Sequence, residues 1–173
     1  MQSNANSLRC SSYILVILDD CLRFTWVSFL KEKNEAFYEF LKLFKQLQIY
    51  KNSPIISIQS DHGREFDKNE FSKLCNEFGI SYNFLSTRTP QQNGVVERKK
   101  HTLEDMARTI FCESSLTISF WTEALNTINY VLNRCLIRLI LKKTPYELFK
   151  GRKSSIAYFR TFSCKCFIHN NRK

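Results

Sequence analysis

The stretch YILVILDDCLRFTWVSFL, residues 13–30, decides how the rest of the sequence is interpreted. Its first part, 13–19 (YILVILD), is a continuous apolar run of strand length, typical of a strand that is covered on both faces. A short turn, DDCL, follows, and 23–30 (RFTWVSFL) carries the β-branched and aromatic residues of a second strand. The sequence therefore predicts a β-hairpin as its first element.

Periodic patterns continue from this hairpin to the end of the chain. Apolar residues at helical spacing predict helices over about 34–49, over 71–78 with Gly79 as the stop, over about 95–111 and over 120–135. Thr144-Pro145-Tyr146-Glu147 is a capping box with proline at the first helical position, so a short helix is expected there, ending at Gly151. Alternation predicts short strands at 55–59, at 80–84 and in the tail, 158–168. This order predicts an α/β fold, a sheet flanked by helices.

Length and composition limit the class of protein. At 173 residues the chain suits one domain with a sizeable core, and its 43% hydrophobic content is ordinary for a folded chain. No run is long enough for a membrane span, and the start MQSNANSLRC is not a signal peptide, so secretion and membrane contact are not expected. The seven cysteines are expected to be reduced thiols, and this is favoured over zinc at Cys164-x-Cys166.

Two acids stand where catalytic carboxylates are commonly placed. Asp61 follows a predicted strand, Glu97 lies on the first turn of a predicted helix, and 35 residues separate them. Carboxylates of this kind hold Mg²⁺, together with waters and substrate phosphates. Two ions about 3.5–4 Å apart can clamp both oxygens of a phosphoryl transfer, but they need a bridging carboxylate. Two acids alone hold one ion, and hold it poorly.

Positive charge surrounds Glu97 and points to a polyanion as the partner. The formal net charge is +10, and basic residues that could contact a phosphate backbone follow Glu97 directly: Arg98, Lys99, Lys100 and His101. The preceding polar loop could reach base edges or backbone through Gln91, Gln92 and Asn93. A solvated helix face with i,i+4 ion pairs is the alternative, and charge alone favours that alternative.

The same residues carry a resemblance to a known family. SDHGREF, 60–66, and TPQQNGVVERKKHTL, 89–103, resemble two segments of retroviral and retrotransposon integrases, and the spacing of the acids resembles their D-D-35-E pattern. LDDCLRFTWVSFLKEKNEAF, FWTEALNTINYVLNR, KTPYELFKGRKSS and FRTFSCKCFIH resemble the copia-type LTR retrotransposon branch. The resemblance covers nearly the whole chain.

That resemblance implies the fold and the activity. It implies a ribonuclease-H-like fold with a central mixed sheet, and a polynucleotidyl transferase that processes and joins DNA ends with Mg²⁺ or Mn²⁺. Asp61 would be the family's second acid and Glu97 its third, both as metal ligands. The implied partners are element ends and target DNA, with homo-oligomers in the intact family enzyme. The implied location is the nucleus or a cytoplasmic particle.

The first acid of the family has no counterpart in this sequence. It belongs to a strand ahead of the segment that MQSNANSLRCSSYILVILDD resembles, so we expect that strand and its Asp to lie outside these residues. Asp19 cannot replace this acid, because a strand of about six residues places Asp19 on the order of 20 Å from the expected metal site. We therefore expect an N-terminally truncated core over 1–153, the start of the next segment over 154–173, and no catalysis. A nucleic-acid-binding remnant of a polyprotein is the alternative function.

Overall fold

The hairpin forms as expected. The computed structural model describes residues 13–51, 54–60, 68–84, 94–114 and 116–167. Strand β1 (Tyr13–Leu18) pairs antiparallel with β2 (Thr25–Leu30), in a register that joins Tyr13 to Leu30 and Leu18 to Thr25. Asp19 closes the turn, because its Oδ1 accepts a 2.6 Å hydrogen bond from the Leu22 N–H. Both strands are one or two residues shorter than the apolar runs that predicted them.

The remaining elements follow the predicted order. A second strand pair is parallel, β3 (Ser57–Ser60) with β4 (Ser81–Phe84), and in the described part of the chain no hydrogen-bonded pairing joins β1 to β3. Five α-helices are described: α1 (Ala36–Lys51), α2 (Lys68–Phe78), α3 (Gly94–Ser114), α4 (Trp121–Cys135) and α5 (Pro145–Lys150).

Strand β1 lies between two apolar clusters, which explains why its sequence is apolar without alternation. Leu15 and Ile17 pack against a cluster of buried residues from α1 and α2, which includes Phe44. Ile14 and Val16 point the other way and pack against a cluster from α3 and α4. Successive side chains of a strand face opposite sides of a sheet, so an apolar run of this kind needs a helix layer on each side. The predicted α/β sandwich is confirmed.

The stop signals are also confirmed. Gly79 ends α2 with φ of 63°, and Gly151 ends α5 with φ of 69°, both in the left-handed region that glycine adopts without steric cost. The capping box of α5 is complete, since Thr144 Oγ1 accepts from the Glu147 N–H and Glu147 Oε2 accepts from the Thr144 N–H. None of the helices in the described ranges is both long and apolar enough to cross a membrane.

The predicted C-terminal strand is wrong over its described part. The chain from Tyr158 to Phe167 is irregular backbone with turns rather than a strand, and Ser163 has a φ of 65°. Phe159 packs on the ring of Tyr130 in α4, and Phe167 is almost fully exposed. Alternation predicts only which side chains could share a face, whereas a strand also needs a partner edge. The described part of this segment pairs with no strand.

Candidate functional site

The parallel strands β3 and β4 define the edge of the sheet at which the sequence predicts the two acids. Since β3 and β4 are parallel, their carboxyl ends lie at one edge of that sheet. Asp61 follows the last residue of β3, and the chain leaving β4 continues to Gly94, where α3 begins. Asp61 itself lies outside the described residues, as do Gln91, Gln92 and Asn93. The predicted pairing of Asp61 with Glu97 therefore stays a prediction.

Glu97 lies where a metal or substrate could reach it. It is the fourth residue of α3, and its side chain is exposed to solvent. It makes neither an ion pair nor a hydrogen bond with any residue in the described ranges. The positive end of the helix dipole favours a carboxylate in this turn, so Glu97 also has a modest structural role of about 0.3–1 kcal/mol. Among the described residues, none occupies its oxygens in place of a cation.

The cations beside Glu97 differ in how far they can reach. Arg98 and His101 are exposed, whereas Lys99 and Lys100 are half-buried. Burial lowers the pKa of Lys99, because an ammonium group loses hydration there. Arg98 and His101 are thus better placed than Lys99 to meet a phosphate backbone. The four basic residues that follow Glu97 therefore do not form one uniformly exposed basic face of the helix.

Farther along α3 the charges neutralise each other. Arg108 lies 3.7 Å from Glu104 and 2.9 Å from Asp105, one helical turn back. Surface pairs of this kind fit the solvated helix face that charge alone favours, and they contribute little to stability. This part of the helix has no cation to spare for a polyanion.

Carboxylates elsewhere in the described chain do not complete a metal site. No group of three or more His, Cys, Asp or Glu residues is gathered within metal-binding distance in the ranges that the structure describes. Asp19 and Asp20 are both engaged in the hairpin turn, Asp19 with the Leu22 N–H and Asp20 with the Arg23 guanidinium. Glu97 fits the hard oxygen donors that Mg²⁺ prefers, but one described carboxylate does not define a site.

The chain is similar to known proteins in sequence and in fold. No family model matches the chain. It is 29% identical over 163 residues to the retrovirus-related Pol polyprotein from transposon TNT 1-94 of Nicotiana tabacum, which covers 94% of this chain and 12% of that relative. It is 27% identical over 156 residues to the retrovirus-related Pol polyprotein from transposon RE2 of Arabidopsis thaliana, and this match covers 90% of this chain and 10% of that relative. The chain thus spans about a tenth of the length of these curated relatives.

Solved structures supply the fold. The HTLV-2 integrase catalytic core domain in complex with magnesium matches with a TM-score of 0.59 at 20% identity, over 84% of this chain and 90% of that one. A chain of the simian T-cell lymphotropic virus intasome in complex with PP2A regulatory subunit B56 gamma matches with a TM-score of 0.63 at 19% identity, over 91% of this chain and 53% of that one. The catalytic core domain of BIV integrase matches with a TM-score of 0.54 at 23% identity, over 80% and 85%.

The class of protein follows from both comparisons. The chain has the ribonuclease-H-like fold of integrase catalytic cores, as the resemblance implied. In sequence it is similar to the Pol polyproteins of retrotransposons, and in fold it is similar to integrase catalytic cores, so the predicted resemblance is confirmed. Placement in the copia-type branch stays a prediction.

Proposed function

We propose that this protein is an integrase-like DNA-binding protein whose ancestral activity is metal-dependent polynucleotidyl transfer. The single observation that supports it best is the position of Glu97, exposed on the first turn of α3 and free of described partners, in a fold shared with integrase cores. Asp61, one residue past β3, would be its partner carboxylate. In this proposal the residues 1–153 form the core-like domain and 154–173 begin the next segment.

Asp61 and Glu97 would hold Mg²⁺ or Mn²⁺. When bound, such an ion stabilises the negative charge that develops on phosphoryl oxygens. Arg98 and His101, both exposed, would orient the DNA backbone beside the carboxylates, and Gln91, Gln92 and Asn93 would contact it from the preceding loop. The intact family enzyme works as an oligomer on element ends and target DNA, in the nucleus or a cytoplasmic particle, and we propose the same setting for this protein.

A nucleic-acid-binding protein without catalysis is the second candidate function. The observation in its favour is the number of carboxylates, because two acids suit one ion and the described residues gather no third. Cleavage of a labelled DNA duplex in Mn²⁺ separates the two candidates. Cleavage that is lost in Glu97→Gln supports the enzyme, and DNA binding without cleavage supports the second candidate.

Metal titration tests the paired carboxylates directly. Calorimetric titration of the chain with MnCl₂ should show weak binding that disappears in both Asp61→Asn and Glu97→Gln. Glu113→Gln is the matched control, because Glu113 is an exposed acid on the same helix and outside the proposed site. Unchanged affinity in Asp61→Asn or Glu97→Gln would refute the site.

A further inference from the structure

The positive charge of this protein is unevenly distributed along the chain. Residues 1–123 contain 15 basic and 15 acidic side chains, whereas 124–173 contain 11 basic residues and a single acid, Glu147. The entire net charge of +10 therefore belongs to the last 50 residues. Helix α3, which holds the predicted backbone contacts, carries four acids and four Lys or Arg residues and is neutral.

The structure gathers many of these C-terminal cations around one short helix. Five exposed side chains flank α5 or end it, and we call them the α5 basic surface: Lys142, Lys143, Lys150, Arg152 and Lys153. Lys143 precedes the helix and Lys153 follows it, yet both act on the Glu147 carboxylate and help to lower its pKa, after the larger effect of the Thr144 N–H. The two ends of the surface thus converge on one carboxylate.

A sixth cation reaches the same place from α1. Lys51 Nζ donates a 2.6 Å hydrogen bond to the Phe149 carbonyl, and it lies 4.2 Å from the centroid of the Phe149 ring. Lys150 Nζ lies 4.2 Å from the centroid of the Tyr50 ring. Contacts with carbonyls and rings hold the ammonium groups in place without neutralising them. The end of α1 therefore extends the basic surface.

The cations of this surface remain available to a ligand. With the residues of the described ranges, Lys142, Lys143, Arg152 and Lys153 form no salt bridge. On α3, by contrast, Arg108 is paired with two acids. A surface with five exposed cations and one carboxylate repels cations and attracts closely spaced anionic groups.

We infer that the α5 basic surface binds the phosphate backbone of nucleic acid without regard to sequence, and that it contributes more of the affinity than the first turn of α3. A six-residue helix is about 9 Å long, and duplex DNA carries a phosphate charge about every 1.7 Å of its axis, so several phosphates lie within the span of α5. The inference rests on the proposed function, whose nucleic-acid partner it adopts.

Salt dependence of DNA binding tests this inference, with the whole chain and a fluorescent 24-base-pair duplex as the probe. Binding is measured by anisotropy between 50 and 200 mM KCl. In Arg152→Gln/Lys153→Gln the slope of log K against log salt should become shallower by about 1.8, which is about 0.9 for each lost phosphate contact. Lys142→Gln/Lys143→Gln should give a similar change and guards against an effect of one pair on folding.

Lys42→Gln/Lys45→Gln is the matched control. Both lysines are exposed on α1, on its outer face beside Glu39, and their loss removes the same total charge. This control should keep the slope of the original chain. Equal losses in the control and in the α5 pairs would overturn the inference, because overall charge would then explain binding.

The same experiment separates the inference from the proposed function. A slope that falls in Arg98→Gln/Lys100→Gln but not in either α5 pair would overturn the inference and keep the DNA partner. No binding by the original chain at 50 mM KCl would reject the nucleic-acid partner itself. Leu139 and Ile140, each 88% exposed, lie beside Lys142. Retention on vesicles with 30% anionic lipid, lost in the α5 pairs, together with no DNA binding, would overturn the inference in favour of a lipid surface.

Discussion

Replacing Asn133 by alanine should destabilise the fold far more than the same change at Asn129, one helical turn earlier on α4. Asn133 is buried and binds the backbone of Thr25 twice, accepting from its N–H at 3.0 Å and donating to its carbonyl at 2.8 Å. Thr25 faces Leu18 across the hairpin, next to the bond from Asp19 N–H to the Phe24 carbonyl. Hydrogen-bonded pairs alternate in antiparallel strands, so the polar groups of Thr25 point outward from the hairpin.

The magnitude follows from what each change leaves unpaired. Without Asn133, the buried Thr25 N–H loses its partner, at a cost of about 1–3 kcal/mol, and a bond to the carbonyl worth about 1 kcal/mol is lost as well. The carbonyl keeps Asn129 Nδ2 at 3.1 Å. We therefore expect Asn133→Ala to lower the free energy of unfolding by about 2–4 kcal/mol. In a chain of this size, that lowers the Tm by roughly 5–15 °C.

Asn129→Ala removes a different balance of interactions. Its Oδ1 is buried and accepts no hydrogen bond from the described residues, so the change removes an unsatisfied acceptor along with one donated bond. These effects oppose each other, and the net change should stay within about 1 kcal/mol. Urea unfolding followed by circular dichroism at 222 nm measures both variants. Equal destabilisation by the two changes would show that the two hydrogen bonds between Asn133 and the Thr25 backbone do not hold α4 against β2.

Two further perturbations test the local signals that end and begin helices. Gly79→Ala should lower the free energy of unfolding by about 1–2 kcal/mol, because a Cβ there meets no atom within 4 Å and only the φ of 63° opposes it. Gly94→Ala, whose Cβ also meets no atom within 4 Å, should be neutral or slightly stabilising. Equal effects of the two changes in urea unfolding would contradict this reasoning. Hydrogen bonding by Thr144 lowers the pKa of Glu147 below its usual 4.5, so its stabilisation is fully present above about pH 4.5 and is lost as pH falls through the lower, folded-state pKa. Thermal unfolding between pH 3 and 7 should therefore show a smaller acid-side loss in Glu147→Gln, and an identical loss would contradict the assignment.

Structural features that depend on a few neighbouring residues can be predicted well from the sequence. The capping box at Thr144, the glycine stops and the hairpin around Asp19 depend on backbone bonds between near neighbours, and the structure forms all of them. The predicted strand in the tail failed because strand formation depends on a distant partner edge. The hydrogen bonds between Asn133 and Thr25 join residues that are 108 positions apart, and no local pattern in the sequence predicts them.

The candidate site divides in the same way. The sequence places Glu97 on the first turn of a helix, and helical geometry then decides which neighbours share its face. Residues at i+1 and i+2, Arg98 and Lys99, turn away from it, whereas Lys100 and His101 at i+3 and i+4 lie beside it. His101 is the exposed one of these two. A phosphate drawn to this face would therefore meet the half-buried ammonium of Lys100 and the ring of His101, with the exposed Arg98 on the adjoining face. In the proposed function, Arg98 and His101 orient the DNA backbone beside the carboxylates, and the exposed cations around α5, which form no salt bridge with the described residues, supply more of the affinity.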